Sequence, residues 1–451
     1  MIFAASLFSS GSNFAASDQA NSNWLTWASV AWSYYQPGVG INPRTGLSRA
    51  NLDWDYATDW DLGTNIISVI LARRVGLIGD TTPTAWGFRD RINRILYTLE
   101  NRTLGSNNGI AWPYWAYDWD GSGCGAYCSK FTDTADSARL LAALDMLRNF
   151  DKSYTAQVEA IYERTRAAYD EMAHEFGAGY YEYYYAKAYE AWGYNESVSL
   201  QDFQQIKNLP TISVYGVQIP KIPTAAEPTL FVLLELDRSR VSTTYLDFAE
   251  RMYETQMARY LKTGLLTAWS EGGYFSAPYY VYETIYDPTA PSPGTWVITG
   301  EGQLLNASTT PPIMYTKVAF AYLAIYGANS YTDALTRIAS TLASSSGFGE
   351  GTFEDGSKPP WASSSFYSDK TNELVLASSA YALSMPTSIT SSATSTTITS
   401  TSQPTPQVLL AAVTGLAVVS SLLVTRVLRN RKSKHLDSLT DYYWYDCNLH
   451  F

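Results

Sequence analysis

The chain has 451 residues and a formal net charge of −11 at pH 7, from 31 basic and 42 acidic side chains. That balance offers a polyanion no basic face and argues against a nucleic-acid partner. Hydrophobic residues make up 46% of the sequence, and its 35 Tyr and 14 Trp exceed what a core requires; such rings, flat and apolar with a polar edge, suit sugar stacking as well as packing.

Residues 1–20 carry a short apolar run and small residues without a basic n-region, a weak or truncated export signal. An amphipathic helix is predicted near Trp24–Tyr35. LDWDYATDWDLGT (Leu52–Thr64) then gathers Asp53, Asp55, Asp59 and Asp61 around Trp54, Tyr56 and Trp60. The helix after it, Leu62–Val75, is apolar nearly all round and should be buried on every side. The next, from the Thr82-Pro83 cap to Glu100, has a single apolar stripe and should lie outside it. The same alternation recurs down the chain. Inner helices are expected at Asp133–Leu147, Glu182–Gly193, Thr224–Leu236, Met314–Gly327 and Lys370–Leu383, and outer ones at Ser153–Met172, Ser242–Leu261 and Tyr331–Ala343. Six inner and about six outer helices predict an all-α (α/α)6 toroid over residues 21–385. The segments entering inner helices (103–130, 263–312, 344–369) are long and aromatic, and would gather at one functional mouth.

Beyond the toroid, residues 386–407 form a Ser/Thr/Pro-rich stalk expected to be disordered. Residues 408–428 are uncharged up to Arg426, with RVLRNRKSKH following from that residue, which predicts one transmembrane helix with residues 429–451 as a cytoplasmic tail. The body would then be extracellular. Sequons at Asn101, Asn195 and Asn306 and a disulfide between Cys124 and Cys128 fit that location. A zinc half-site at those cysteines lacks a second Cys/His pair.

Thr58-x-x-Asp61, Asp133-x-x-Asp136 and Thr224-x-x-Glu227 resemble capping boxes. In a toroid these N-termini converge, so a cap can also line the cavity, where the helix dipole holds a carboxylate ionised. Asp61 is therefore the expected base, with Glu227 behind it; Asp53, Asp55 and Asp59 read as rim or structural residues. A general acid needs apolar surroundings. Glu271, beside Trp269, Tyr274 and Phe275, fits best, with Glu182 and Glu354 as alternatives. The competing readings are a plain cap for Asp61 and a solvated loop glutamate for Glu271. Before the basic tail the only histidine is His174, which disfavours zinc sites, Ser-His-Asp triads and a lyase with a histidine base. DWDGSG (Asp118–Gly123) has the opening of a calcium loop without its later ligands, which leaves calcium a remote alternative to no cofactor at all.

The ordered series INPRTGL, ATDWDLGT, DTADSARLLAAL, YYEYYYAKAYEAWG, AAEPTLFVLLEL, AWSEGGYFSAPYYVYETIY, YTKVAFAYLAIYG, GTFEDG and KTNELVLAS resembles the prokaryotic domain-of-unknown-function family numbered 3131 from about Gly40 to Leu383. The resemblance implies a glucoamylase-type (α/α)6 domain, in a family with some members linked to polysaccharide synthesis. By motif position it implies Asp61, Asp136, Glu182, Glu227, Glu271 and Glu354 as acidic site residues, with Arg139, Lys317 and Asn372 at the mouth. Trp60, Trp269 and Tyr274 complete the expected substrate contacts. The C-x-x-x-C loop is a departure from that family. The expectation is a membrane-anchored glycoside hydrolase acting on a polysaccharide, with inversion favoured. A non-catalytic glycan-binding or envelope-scaffold protein is the alternative, and a polysaccharide lyase the third reading.

Overall fold

A computed structural model describes residues 10–81, 85–173, 181–236, 238–287, 297–300, 303–361 and 366–384. Twelve α-helices occur among the described residues: α1 (Ser10–Trp32), α2 (Asp59–Arg74), α3 (Phe88–Asn101), α4 (Thr134–Phe150), α5 (Thr155–Met172), α6 (Glu182–Glu190), α7 (Ser197–Gln204), α8 (Glu227–Glu235), α9 (Thr243–Thr263), α10 (Thr316–Tyr326), α11 (Ser330–Ala339) and α12 (Asp369–Ser384).

The even-numbered helices form a closed ring. Helix α2 packs on α4, α4 on α6, α6 on α8, α8 on α10, α10 on α12, and α12 back on α2. Their sequences explain the position: α2 is buried without a break from Asp59 to Ala72, as its apolar circumference requires. Outer helix α3 buries only Phe88, Arg91, Ile92, Ile95, Leu96 and Leu99, a stripe at helical spacing. Glycine sets the α2–α4 distance, since a Cβ at Gly63 would lie 2.8 Å from the Arg139 carbonyl oxygen.

The fold is not all-α. Several two-stranded sheets and one four-stranded antiparallel sheet are present, and every strand among the described residues lies in a segment that enters an inner helix. Turn chemistry is the cause in two of them. Asn108-Gly109 joins Leu104–Asn107 to Ile110–Pro113, and Tyr215-Gly216 joins Thr211–Val214 to Val217–Pro220, all four turn residues having positive φ. The four-stranded sheet runs Glu271–Gly273, Tyr280–Thr284, Val297–Gly300, Gln303–Leu305 in order.

Other expectations need correction. Helix α3 starts at Phe88 after Gly87, and Thr82-Pro83 lies outside the described residues, as does His174. Thr224 is not a cap: it pairs with the Tyr286 backbone, and α8 opens at Glu227 with Pro228 in its first turn. Helix α7, too short and polar to show a clear stripe, is the outer helix that periodicity missed. Among the described residues no helix is long and apolar enough to cross a membrane. The expected stalk, transmembrane helix at 408–428 and tail lie outside the described residues; the chain divides into units Met1–Ser384 and Met385–Phe451.

Candidate active site

The N-termini of the inner helices carry the polar residues of one mouth. Thr58 caps α2 in a reciprocal box: its N–H donates to Asp61 Oδ2 (2.8 Å) and its Oγ1 accepts from Asp61 N–H. Asp133 caps α4 by accepting the Asp136 N–H at 2.9 Å. Burial pushes the Asp61 carboxyl up to about 6, against the Thr58 hydrogen bonds, the Lys370 ammonium and Asp369. Asp136 is driven well up by burial and then by the charges of Asp133, Asp61 and Asp59. Asp369, the first residue of α12, is likewise driven up by burial and by the Asp61 charge. Crowded carboxyls of this kind cannot all ionise, so the Asp61–Asp369–Asp136 side of the mouth retains protons near neutrality.

The other side is ionic. Lys317 Nζ lies 2.5 Å from Glu227 Oε2 and donates to the Glu271 carbonyl at 2.6 Å. Lys370 Nζ lies 3.2 Å from Glu227 Oε1 and 2.7 Å from Glu271 Oε1. The Tyr280 hydroxyl donates to the same Glu271 oxygen (2.9 Å), and Ser270 Oγ donates to Glu227 Oε2 (2.5 Å). Burial works to raise the Glu271 carboxyl, but the Lys370 charge and hydrogen bond, the Tyr181 hydroxyl and Lys317 outweigh it and hold it down to about 2. Glu271 is therefore no neutral acid in an apolar loop: it is an anion fixed in place. Lys370 also sits 4.9 Å from the Trp60 ring centroid and bridges the two sides. Trp60 in turn meets Tyr181 edge-on at the α6 N-terminus, and Glu182 follows, half-buried with its carboxyl raised by burial.

The mouth thus brings together Asp61, Asp136, Glu227, Glu271, Lys317 and Trp60. Five other expected site residues serve the scaffold. Arg139 is fully buried on the ring's interior, pairing with Glu235, with Glu373 (3.2 Å) and with the Tyr184 hydroxyl (2.8 Å). Asn372 bonds the backbone of Phe348 and Ser368 and fixes the segment before α12. Glu354 binds Arg259 of α9 (2.8 Å) and the Trp269 indole N–H (3.0 Å), and Trp269 has no free face at 1% exposure. Tyr274 is buried, donating to the Pro311 carbonyl. Asp59 is buried against Arg102, whereas Asp53 and Asp55 are exposed.

Sequence reasoning missed Lys370, Asp369, Tyr181, Tyr280 and Ser270. A signal existed for the lysines: Lys317 and Lys370 each occupy the second position of an inner helix, where the dipole disfavours a cation. A lysine there implies a facing carboxylate. In the DWDGSG loop, Asp120 and Asp118 accept from Ser122 and Asp120 pairs with Arg44 (3.4 Å), which accounts for the acidic spacing as a turn. Cys124 and Cys128 are joined by a disulfide. Asn101, Asn195 and Asn306 are all exposed.

A family model described as "Protein of unknown function (DUF3131)" matches residues 26–384. The chain belongs to the DUF3131 family. No curated protein matches it. Among solved structures, this DUF3131 domain is similar to a putative glucoamylase from Bacteroides caccae (12% identity, 81% of this chain and 94% of that one, TM-score 0.57). It is also similar to an endo-β-1,2-glucanase from Chitinophaga pinensis in complex with sophorotriose and glucose (11%, 80% and 92%, 0.53). A third is the endo-β-1,2-glucanase from Talaromyces funiculosus in complex with sophorose (11%, 80% and 84%, 0.53). At these identities the likeness establishes a glycoside-hydrolase-like toroid fold.

Proposed function

We propose that this domain hydrolyses a glycosidic bond of a polysaccharide, with the acid and base placed opposite to the order expected from sequence. The observation that carries the reading is two carboxyls shifted in opposite directions in one mouth: Asp61 raised to about 6 by burial and Glu271 held, against burial, at about 2 by Lys370. Glycoside hydrolysis uses one carboxylic acid and one carboxylate. The Asp61 side, which retains protons beside Asp369, donates to the glycosidic oxygen as the bond to the anomeric carbon breaks. Ionised Glu271 accepts the proton of a water that attacks that carbon, and inversion follows. Lys370 and Tyr280 keep Glu271 ionised and oriented.

The fold likeness to β-1,2-glucanases makes β-1,2-glucan the first substrate to try, alongside α-glucans and envelope glycans. Export with N-glycans at the three exposed sequons belongs to the same proposal, and mass spectrometry of the native protein tests it. The decisive assay is reducing-end release across the glycan panel by the wild type, Asp61→Asn and Glu271→Gln. Release that either variant preserves at the wild-type rate would sink the assignment of that residue. A second reading, glycan binding without turnover, draws on the pairing of Glu227 and Glu271 with Lys317 and Lys370. Binding with no release from any glycan, unchanged in Glu271→Gln, would favour it.

A further inference from the structure

The disulfide loop and the aromatic residues before α2 take no part in the chemistry above, yet they form one structure beside it. Trp54 and Tyr56 lie 5.4 Å apart, Tyr56 and Tyr127 4.8 Å, and Tyr127 and Trp115 4.8 Å between ring centroids. The Trp54 indole N–H donates to the Tyr127 hydroxyl at 3.1 Å, which fixes the two rings against each other. Trp115 is buried behind them with the Lys130 ammonium 5.2 Å from its centroid. Trp54, Tyr56 and Tyr127 remain half-exposed.

The Cys124–Cys128 bridge brackets Tyr127. Gly125, with φ of +46°, lets that loop press down: a Cβ there would stand 2.6 Å from Asp118 Oδ1 and 3.0 Å from the Tyr56 ring. The platform is thus braced from below and clasped from the side. Such bracing removes the entropy that loose aromatic side chains would lose on binding.

Its position is fixed by backbone contacts at both ends. The strand Tyr56–Thr58 runs directly into the α2 cap and Asp61. On the other flank, Leu52 N–H donates to the Tyr367 carbonyl (3.2 Å) and Asp369 N–H to the Ala50 carbonyl (3.0 Å), just before Lys370. The segment that carries Trp54 and Tyr56 therefore runs from the backbone beside Lys370 into the helix that carries Asp61. Asp53, next to Trp54 in sequence, is exposed.

We infer that Trp54, Tyr56 and Tyr127 form a distal sugar-binding subsite that stacks pyranose rings of the same neutral glycan chain whose scissile bond lies over Asp61 and Glu271. The three rings are inclined to one another by 43°, 67° and 88°, so they present separate apolar faces, edged by tyrosine hydroxyls, to successive sugars. The inference rests on the hydrolase reading, but its test separates the two. Titration calorimetry is run with β-1,2- and α-1,4-linked gluco-oligosaccharides from disaccharide to hexasaccharide, using the whole chain. Trp54→Ala weakens the hexasaccharide on the order of tenfold, the worth of one stacked ring, and leaves the disaccharide unchanged. The double variant Cys124→Ser/Cys128→Ser, which leaves the ring of helices untouched, weakens the hexasaccharide in the same direction with the disaccharide again unchanged. Hexasaccharide affinity unaltered in both variants overturns the subsite alone. Equal losses for short and long ligands also overturn it. A wild type that binds no member of either series overturns the hydrolase reading for these glycans and the subsite with it.

Discussion

Replacing Lys370 by Met isolates what keeps the mouth ionic. The ammonium lies 2.7 Å from Glu271 and 3.2 Å from Glu227, and its side chain is only 15% exposed. Burial pulls the Glu271 carboxyl upward, and Lys370 supplies the two largest opposing contributions, leaving it at about 2 against an ordinary 4.5. Without Lys370 those two contributions are gone and burial drives the carboxyl upward. The depression from 4.5 to about 2 is worth about 3 kcal/mol at pH 7, and the variant loses that contribution. The sign follows from linkage. In the wild type the depressed carboxyl contributes stability that is complete above 4.5 and lost as pH falls toward 2. In Lys370→Met that depression is removed, so the variant loses less stability on acidification than the wild type. Urea unfolding at pH 7, 5 and 3 reads both proteins. The difference between them narrows as pH falls. A difference that is constant from pH 7 to pH 3 would refute the assignment of Glu271 as a lysine-held anion.

Asp61 has the opposite dependence: with its carboxyl raised from 3.8 to about 6, it stabilises the fold below 3.8 and that contribution is lost as pH rises through 6, so Asp61→Asn flattens this limb in urea unfolding across the same range. Asp59→Asn strands the buried Arg102 guanidinium and costs about 3–5 kcal/mol, measured by urea midpoint. Gly63→Ala forces a methyl into the Arg139 carbonyl and costs about 1–3 kcal/mol despite alanine's better helix propensity, visible as a lowered Tm. Tyr279→Gly raises Tm, because Tyr279 is 65% exposed and held at φ +67°, a left-handed conformation that costs a non-glycine residue about 1 kcal/mol.

The toroid was legible in the sequence because burial dictates composition helix by helix. The unbroken apolar run of α2 and the single stripe of α3 distinguish inner from outer helices without any coordinates. The strands are less legible, although Asn108-Gly109 is a strong hairpin signal: no period-2 run in the long aromatic segments exceeds a few residues, so they read as loops. The site was half legible. Asp61, Glu227 and Glu271 do converge, since helix starts and the sheet before α10 share one face. Their protonation could not be read, because it depends on Lys370, which lies about a hundred residues from Glu271 in sequence yet hydrogen-bonds to it. Arg139, Asn372 and Glu354 show the converse: polar residues in inner-helix motifs that the scaffold consumes.

The reversed division of labour between the two carboxyls is tested most directly by titrating them. Carboxyl carbon-13 NMR of protein labelled at Asp and Glu, with Asp61→Asn and Glu271→Gln for assignment, follows both groups from pH 2 to pH 8. The expected result is a Glu271 resonance with its midpoint at about pH 2 and an Asp61 resonance with its midpoint at about pH 6. A Glu271 midpoint at or above 4.5, with Asp61 ionised throughout the acidic range, would contradict the mechanism and restore the order that the sequence alone suggests.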